Sequence, residues 1–184
     1  NRRIQRSSEF AAGDTNSEGF RLGETCVSVN SVFRSMDNSP DPFPLALSDF
    51  EFYVIRDETV QFPMVIALRT QIEGSLCIPS FLGAIQATIA KNPLLRSTVD
   101  INSWRPRWRL IPNHTPEIKV SHFKTENPPD DVPLRRLDLT RTAGAEFELR
   151  VSANRSLLVS HLHHACLDGI AAIRFLADIF AEYG

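Results

Sequence analysis

Three histidines lie close together in the last quarter of the chain, at His161, His163 and His164, and Asp168 and Gly169 follow them. An imidazole titrates near neutral pH, so it can act as a general base under physiological conditions. A single histidine is usually a hydrogen-bonded core residue, but an adjacent pair followed at this spacing by Asp-Gly is less easily explained by packing. We therefore expect this segment to hold the chemistry of the protein.

A metal site and a cysteine nucleophile are two other kinds of site that this segment could form. His161 and His163 could share a metal ion, but the HxHxDH pattern of metallohydrolases would need Asp and His where this chain has Ala165 and Cys166. A Cys166 nucleophile would need an exposed thiol with a lowered pKa, whereas Ala165, Cys166 and Leu167 are typical of small apolar core residues. The prediction is therefore a site without metal.

The elements around the histidines are predicted from periodicity. Residues 145–151 alternate apolar and polar, and 156–163 form an almost continuous apolar run, which together indicate a hairpin whose second strand is buried on both faces. Side chains alternate along a strand, so His161 and His163 share one face while His164 points to the other or to the strand tip. Apolar residues at helical spacing follow, with Asp168 as N-cap. The histidines should thus end a buried strand directly before a helix.

Further elements are predicted upstream. Ser48 and Glu51 form a capping box for a helix near 49–58. Periodicity also predicts a strand at 62–73 ended by Gly74, a helix from Pro79 to Asn92-Pro93, and strands at 94–101, 104–111 and 117–123.

One of these strands combines aromatic and basic residues. In the strand at 104–111, Trp104 and Trp108 share one face, arginines occupy the other, and Pro106 places the strand toward a sheet edge. A solvated arginine face explains it better than a nucleic-acid platform.

Composition limits the class of protein. The 184 residues carry a net charge of −2 and are 42% hydrophobic, which indicates a folded domain and argues against a nucleic-acid partner. No apolar run reaches the ~18 residues of a membrane span. Residues 1–43 are predicted to form an arm or tail with a possible short strand, and 44–184 the folded lobe. Since the chain begins at Asn1 and ends directly after a helical pattern, we expect a piece of a longer protein.

The cysteines bear on the compartment. Cys26, Cys77 and Cys166 are odd in number and widely spaced, so we expect reduced thiols and a cytoplasmic protein.

Four segments resemble one superfamily in the same order. HHACLDG at 163–169 resembles the HHxxxDG signature of condensation domains and CoA-dependent acyltransferases, which have a chloramphenicol acetyltransferase-like fold. The other segments are PLALSDFEF at 44–52, NPLLRS at 92–97 and LDLT at 137–140, with Asn92 where many members have histidine. The resemblance covers 44–184 and implies an α/β lobe, the N-terminal one of two, with a mixed and largely antiparallel sheet packed with helices.

The resemblance also implies roles for individual residues. His164 would be the catalytic general base and His163 a supporting residue. Asp168 would pair with Arg96 and hold the motif loop in shape. Gly169 would leave room for the pantetheine arm of the donor or for the acceptor.

The implied reaction is acyl transfer from a thioester to an alcohol or amine. The donor would be acyl-CoA or a phosphopantetheinyl carrier protein, with no permanently bound cofactor. A missing C-terminal lobe or a second copy of the chain would complete the site. A non-catalytic binding or assembly module and a peptide-bond-forming condensation domain are the alternatives.

Overall fold

The structure is a computed structural model that describes residues 43–112, 114, 116, 118–125, 129 and 131–184. The predicted arm at 1–43 lies outside these residues except for Phe43. The helices are α1 (Asp49–Asp57), α2 (Ile78–Ala90) and α3 (Gly169–Tyr183), and a short 3₁₀ helix spans Pro93–Arg96. The strands are β1 (Leu45–Ala46), β2 (Val65–Glu73), β3 (Ser97–Asp100), β4 (Arg107–Leu110), β5 (Ile118–His122), β6 (Ala145–Val151) and β7 (Arg155–His163).

The strands form two sheets. One has the order β2-β7-β6-β5 and the other β1-β4-β3. All pairs are antiparallel except β5 with β6, which is parallel. The predicted mixed, largely antiparallel arrangement with helices is confirmed.

The hydrophobic core joins the larger sheet to α2 and α3. Phe147 of β6 lies 6.0 Å from Phe175 of α3 between ring centroids, and Phe81 of α2 meets Tyr183 edge to face at 5.3 Å. Leu158 and Leu162 of β7 belong to the same buried cluster. The helices therefore cover the face of β7 that carries its even-numbered side chains.

The start of α1 follows its predicted capping box. Glu51 N–H donates to Ser48 Oγ at 3.3 Å, and Ser48 N–H donates to Glu51 Oε2 at 2.6 Å. The two bonds satisfy main-chain donors that a helix start leaves free. Helix α1 therefore begins where the sequence predicts.

Two strand predictions were wrong in detail. The segment 94–101 begins as the 3₁₀ helix and becomes extended only at Ser97, because Pro93 fits a helical first turn. Strand β4 is the middle strand of its sheet and not an edge. Trp104 lies outside it and is 93% exposed, whereas Trp108 is fully buried.

One cysteine prediction was also wrong. Cys77 was expected to be reduced but is disulfide-bonded. The prediction failed because spacing along a chain does not determine which cysteines meet. Cys166 is a buried free thiol.

Candidate active site

The histidine pair lies at the end of the most enclosed strand. β7 pairs with β2 on one side and β6 on the other, and the β2 ladder ends where Val65 faces His163. All residues of β7 after Arg155 are buried, as its apolar run predicts. The chain then makes a short turn and enters α3. The strand and the helix thus hold the pair from both ends.

His163 is an interior, neutral imidazole. Its side chain is 0% exposed, and its main-chain N–H donates to Gly144 O at 2.9 Å. Burial, then the proximity of His164 and Arg136, lowers the pKa of His163 to about 4. Ala165 N–H donates to His163 Nδ1 at 3.1 Å, so the single proton of the neutral ring is on Nε2. The ring of His163 is therefore enclosed, with its proton on Nε2.

The proton of His163 faces a buried carboxylate that the sequence did not single out. Glu58 Oε1 lies 3.5 Å from His163 Nε2. This contact does not have hydrogen-bond geometry, and Nε2 has no hydrogen-bond partner among the described residues. Because His163 is neutral, this contact is not an ion pair. Arg136 Nε donates to Glu58 Oε2 at 3.0 Å. Burial raises the pKa of Glu58, and Arg136 partly opposes that rise.

His164 has a different environment from His163. It is half-buried, and its N–H donates to Met64 O at 2.8 Å, which extends the β2–β7 pairing past the ladder. Its Nδ1 is buried without a hydrogen-bond partner among the described residues. The ring of Phe50, itself 59% exposed, stands edge-on at 6.1 Å between centroids. His164 thus combines partial access with an uncommitted ring nitrogen.

Asp168 is used differently from what the resemblance implied. Its Oδ1 accepts from Ala171 N–H at 2.7 Å, so it is the N-cap of α3, as periodicity predicted. It is exposed, and among the residues that the structure describes no hydrogen bond or ion pair joins it to Arg96. The expected buried pair is absent because the carboxylate turns to the free N–H groups of α3. Arg96 Nε is buried and has no hydrogen-bond partner in the same part of the chain.

Gly169 and Gly144 occupy opposite kinds of environment. A Cβ built on Gly169 would meet nothing within 4 Å, whereas one on Gly144 would lie 2.2 Å from Cys166 Sγ. No contact within the described chain therefore requires glycine at 169. Gly144, which the sequence analysis did not identify, is required by close packing beneath the histidine turn.

His161 and Cys166 are both held in the interior. His161 Nε2 lies 3.1 Å from Pro133 O, and Cys166 Sγ donates to Leu94 O at 3.4 Å. Burial, followed by the charge of Glu51, raises the pKa of the Cys166 thiol. A thiol in this environment is a poor nucleophile.

Within the described ranges, no three His, Cys, Asp or Glu side chains are grouped so that they could hold a metal ion. Among the same residues, no helix has the length and apolar character needed to cross a bilayer.

Solved structures identify the architecture. The structure is similar to the X-domain in the complex of the X-domain and OxyB from teicoplanin biosynthesis, with a TM-score of 0.67 and 16% identity over 79% of this chain and 34% of that chain. It is also similar to the starter condensation domain of the rhizomide synthetase RzmA, with a TM-score of 0.64 and 19% identity over 76% of this chain and 37% of that chain. The chain has the fold of the condensation domains. A variant of the rhizomide condensation domain in complex with C8-CoA matches with a TM-score of 0.62 and 18% identity over 73% of this chain and 34% of that chain.

What this chain shares with these solved structures is the fold of the condensation domains. The chain spans about a third of the length of these solved structures. No protein-family model and no curated protein matches it. The α/β class with a chloramphenicol acetyltransferase-like fold, expected from the four sequence segments, is confirmed.

Proposed function

We propose that the chain supplies the histidine-bearing lobe of an acyltransferase. The observation that carries this proposal is the contrast between the two histidines. His163 is buried and neutral, and its Nδ1 accepts from Ala165 N–H. The ring of His164 is half-buried next to the exposed ring of Phe50, and its enclosed Nδ1 has no hydrogen-bond partner among the described residues. The neutral His163 next to it adds no positive charge to the site.

His164 acts as the general base in this proposal. It takes the proton from an alcohol or amine as that group attacks the carbonyl carbon of an acyl thioester. When the tetrahedral intermediate collapses, the carbon–sulfur bond breaks and the same proton passes to the leaving thiolate. Atoms and charge balance without a bound cofactor, since one imidazole accepts the proton as a base and then returns it as an acid.

The donor is an acyl-CoA or an acyl group on a phosphopantetheinyl carrier protein. Support comes from the fold shared with a condensation domain that has been solved with C8-CoA. The open space at Gly169 is consistent with a ligand passing there. Exposed Ile170 and Ile173 lie in the first turns of α3, where a second lobe or a second copy of the chain would cover them.

The test is thioester turnover by the full-length protein. C8-CoA is the first donor, followed by other acyl-CoA and acyl-carrier donors with alcohol and amine acceptors, and release of free thiol is measured. We expect His164→Ala to abolish acceptor-dependent release. His122→Ala, which removes an exposed histidine from β5, is the matched control. Wild-type transfer by His164→Ala would contradict the base assignment.

A binding or assembly module is the second candidate. It is favoured by the likeness to the X-domain that was solved in complex with OxyB. A module of this kind would bind a thioester or a protein partner without turnover. Thermal protection by C8-CoA, with no release of thiol for any acceptor, would support this module over the acyltransferase. A product in which the acyl group is joined to a carrier-bound amine would instead indicate a peptide-bond-forming condensation domain.

A further inference from the structure

Glu58 directly follows α1, yet its carboxylate lies in the interior. The side chain is 2% exposed, and a buried carboxylate is costly unless other groups satisfy it. Arg136 Nε donates to Oε2 at 3.0 Å, and Met64 N–H donates to Oε1 at 3.2 Å. Three separate parts of the chain therefore meet at this carboxylate.

The same carboxylate reaches both histidines of the pair. Oε1 lies 3.5 Å from Nε2 of His163, the nitrogen that carries the proton. The second path runs through Met64, whose N–H binds Glu58 and whose carbonyl oxygen accepts the main-chain N–H of His164 at 2.8 Å. A shift of Glu58 would therefore disturb the ring of His163 and the main chain of His164 together.

We propose that Glu58 is a positioning residue for the histidine pair, with its carboxylate orienting the Nε2–H of His163 and anchoring the main chain of His164 through Met64. The inference deepens the proposed function and rests on it for its effect on turnover. The 3.5 Å contact is outside hydrogen-bond geometry, so the carboxylate orients the ring by electrostatic attraction between Oε1 and the proton on Nε2. Arg136 favours the charged, accepting form of the carboxylate and so opposes the burial that raises the pKa of Glu58.

The first measurement needs no variant and no turnover. Long-range ¹⁵N–¹H NMR of the full-length protein at pH 7 reports which ring nitrogen of His163 carries the proton. We expect a single Nε2–H tautomer. An Nδ1–H tautomer or a rapidly exchanging mixture would overturn the proposal whether or not the protein proves to be an acyltransferase.

Glu58→Gln then removes the charge and nearly preserves the shape. The introduced amide can present an N–H group as readily as an oxygen to Nε2, so we expect the ¹⁵N shifts of His163 to change. If the chain transfers acyl groups, kcat should fall about 10- to 100-fold, the loss that is typical when a group orienting a metal-bound imidazole is removed. KM for the donor should stay the same because the Glu58 side chain, at 2% exposure, offers almost no surface to a donor.

The matched control is Glu73→Gln, at the end of the β2–β7 pair that lies away from the histidines. Glu73 Oε1 lies 3.0 Å from Arg155 Nη2 in an exposed ion pair. Like Glu58→Gln, this variant removes a carboxylate that is paired with an arginine. We expect wild-type His163 shifts and kcat. Equal effects of Glu58→Gln and Glu73→Gln, or unchanged His163 shifts in Glu58→Gln, would overturn the inference.

Arg136→Gln is the second variant if Glu58→Gln does not fold. Its side chain is 37% exposed, so its replacement should be better tolerated. The Glu58 carboxyl would lose its charged partner and its affinity for a proton would rise, which should again change the His163 shifts. Wild-type shifts in this variant would contradict the proposal, while absence of transfer by the wild type would count only against the acyltransferase.

Discussion

The main-chain N–H of His164 donates a 2.8 Å hydrogen bond to the carbonyl oxygen of Met64, one residue before β2 begins. The bond does not involve the imidazole, so His164→Ala should leave the turn intact. We expect acyl transfer to fall roughly 10²- to 10⁴-fold, the usual contribution of a general base, with little change in thermal unfolding. Steady-state kinetics and calorimetry of the same sample check this, and a parallel loss of activity and melting temperature would point to a structural role.

Stability should depend on pH through His163. Its pKa is about 4 in the folded chain against 6.5 for an ordinary histidine, so between these values the unfolded chain binds more protons. The free energy of unfolding is highest above pH 6.5 and decreases as the pH falls to 4 and below, by at most about 3–4 kcal/mol. Urea unfolding at several pH values should show this slope. His163→Gln should reduce it, and identical slopes would contradict the low pKa.

Gly144→Ala should destabilise the chain. The new Cβ would lie 2.2 Å from Cys166 Sγ and 3.3 Å from Leu139 Cδ2, and overpacking of this kind costs about 1–3 kcal/mol. Urea unfolding measures the loss, and adding Cys166→Ala should recover part of it. Gly83→Ala is the control, because a Cβ there meets nothing and alanine favours helix by up to about 1 kcal/mol. Equal effects of the two glycine variants would rule out the clash.

Asp168 should behave as a helix cap. Asp168→Ala removes the acceptor for Ala171 N–H and should cost about 1 kcal/mol, while Asp168→Asn should cost much less because asparagine also caps helices well. Thermal unfolding of both variants distinguishes this from a buried ion pair with Arg96. That pair would lose roughly 3–5 kcal/mol when either partner is removed.

Cys166 should resist alkylation in the folded chain. Its thiol is buried, and burial raises its pKa, so the reactive thiolate is scarce and shielded. Iodoacetamide treatment followed by peptide mass mapping should show modification of Cys166 only after urea is added. Rapid labelling of the native protein would indicate that Cys166 is an accessible, reactive thiol that could act as a nucleophile.

Local signals in the sequence predicted the parts of the fold that depend on neighbouring residues. Ser48 and Glu51 are three residues apart and form the capping box, and Asp168 caps α3. The hairpin of β6 and β7 was also predictable, since one turn joins two runs with strand periodicity. Each of these features is determined within a few residues along the chain.

The parts that sequence analysis missed depend on distant contacts. Glu58 and Arg136 are 78 residues apart, and nothing in their spacing marks them as partners. Trp104 and Trp108 share a sequence pattern but differ completely in burial, because the strand begins only at Arg107. The parallel pairing of β5 with β6 likewise has no local signature.

The order of strands has a consequence for synthesis of the protein. β7 is flanked by β2 and β6 but follows both in the chain, and its partners in β2 are between 82 and 98 residues away. On the ribosome, β2 must therefore wait with an open edge until the histidine segment has emerged. Such long-range pairing is slow and leaves unpaired strands exposed to aggregation. The nascent chain should need a chaperone most in the interval between the emergence of β2 and that of β7.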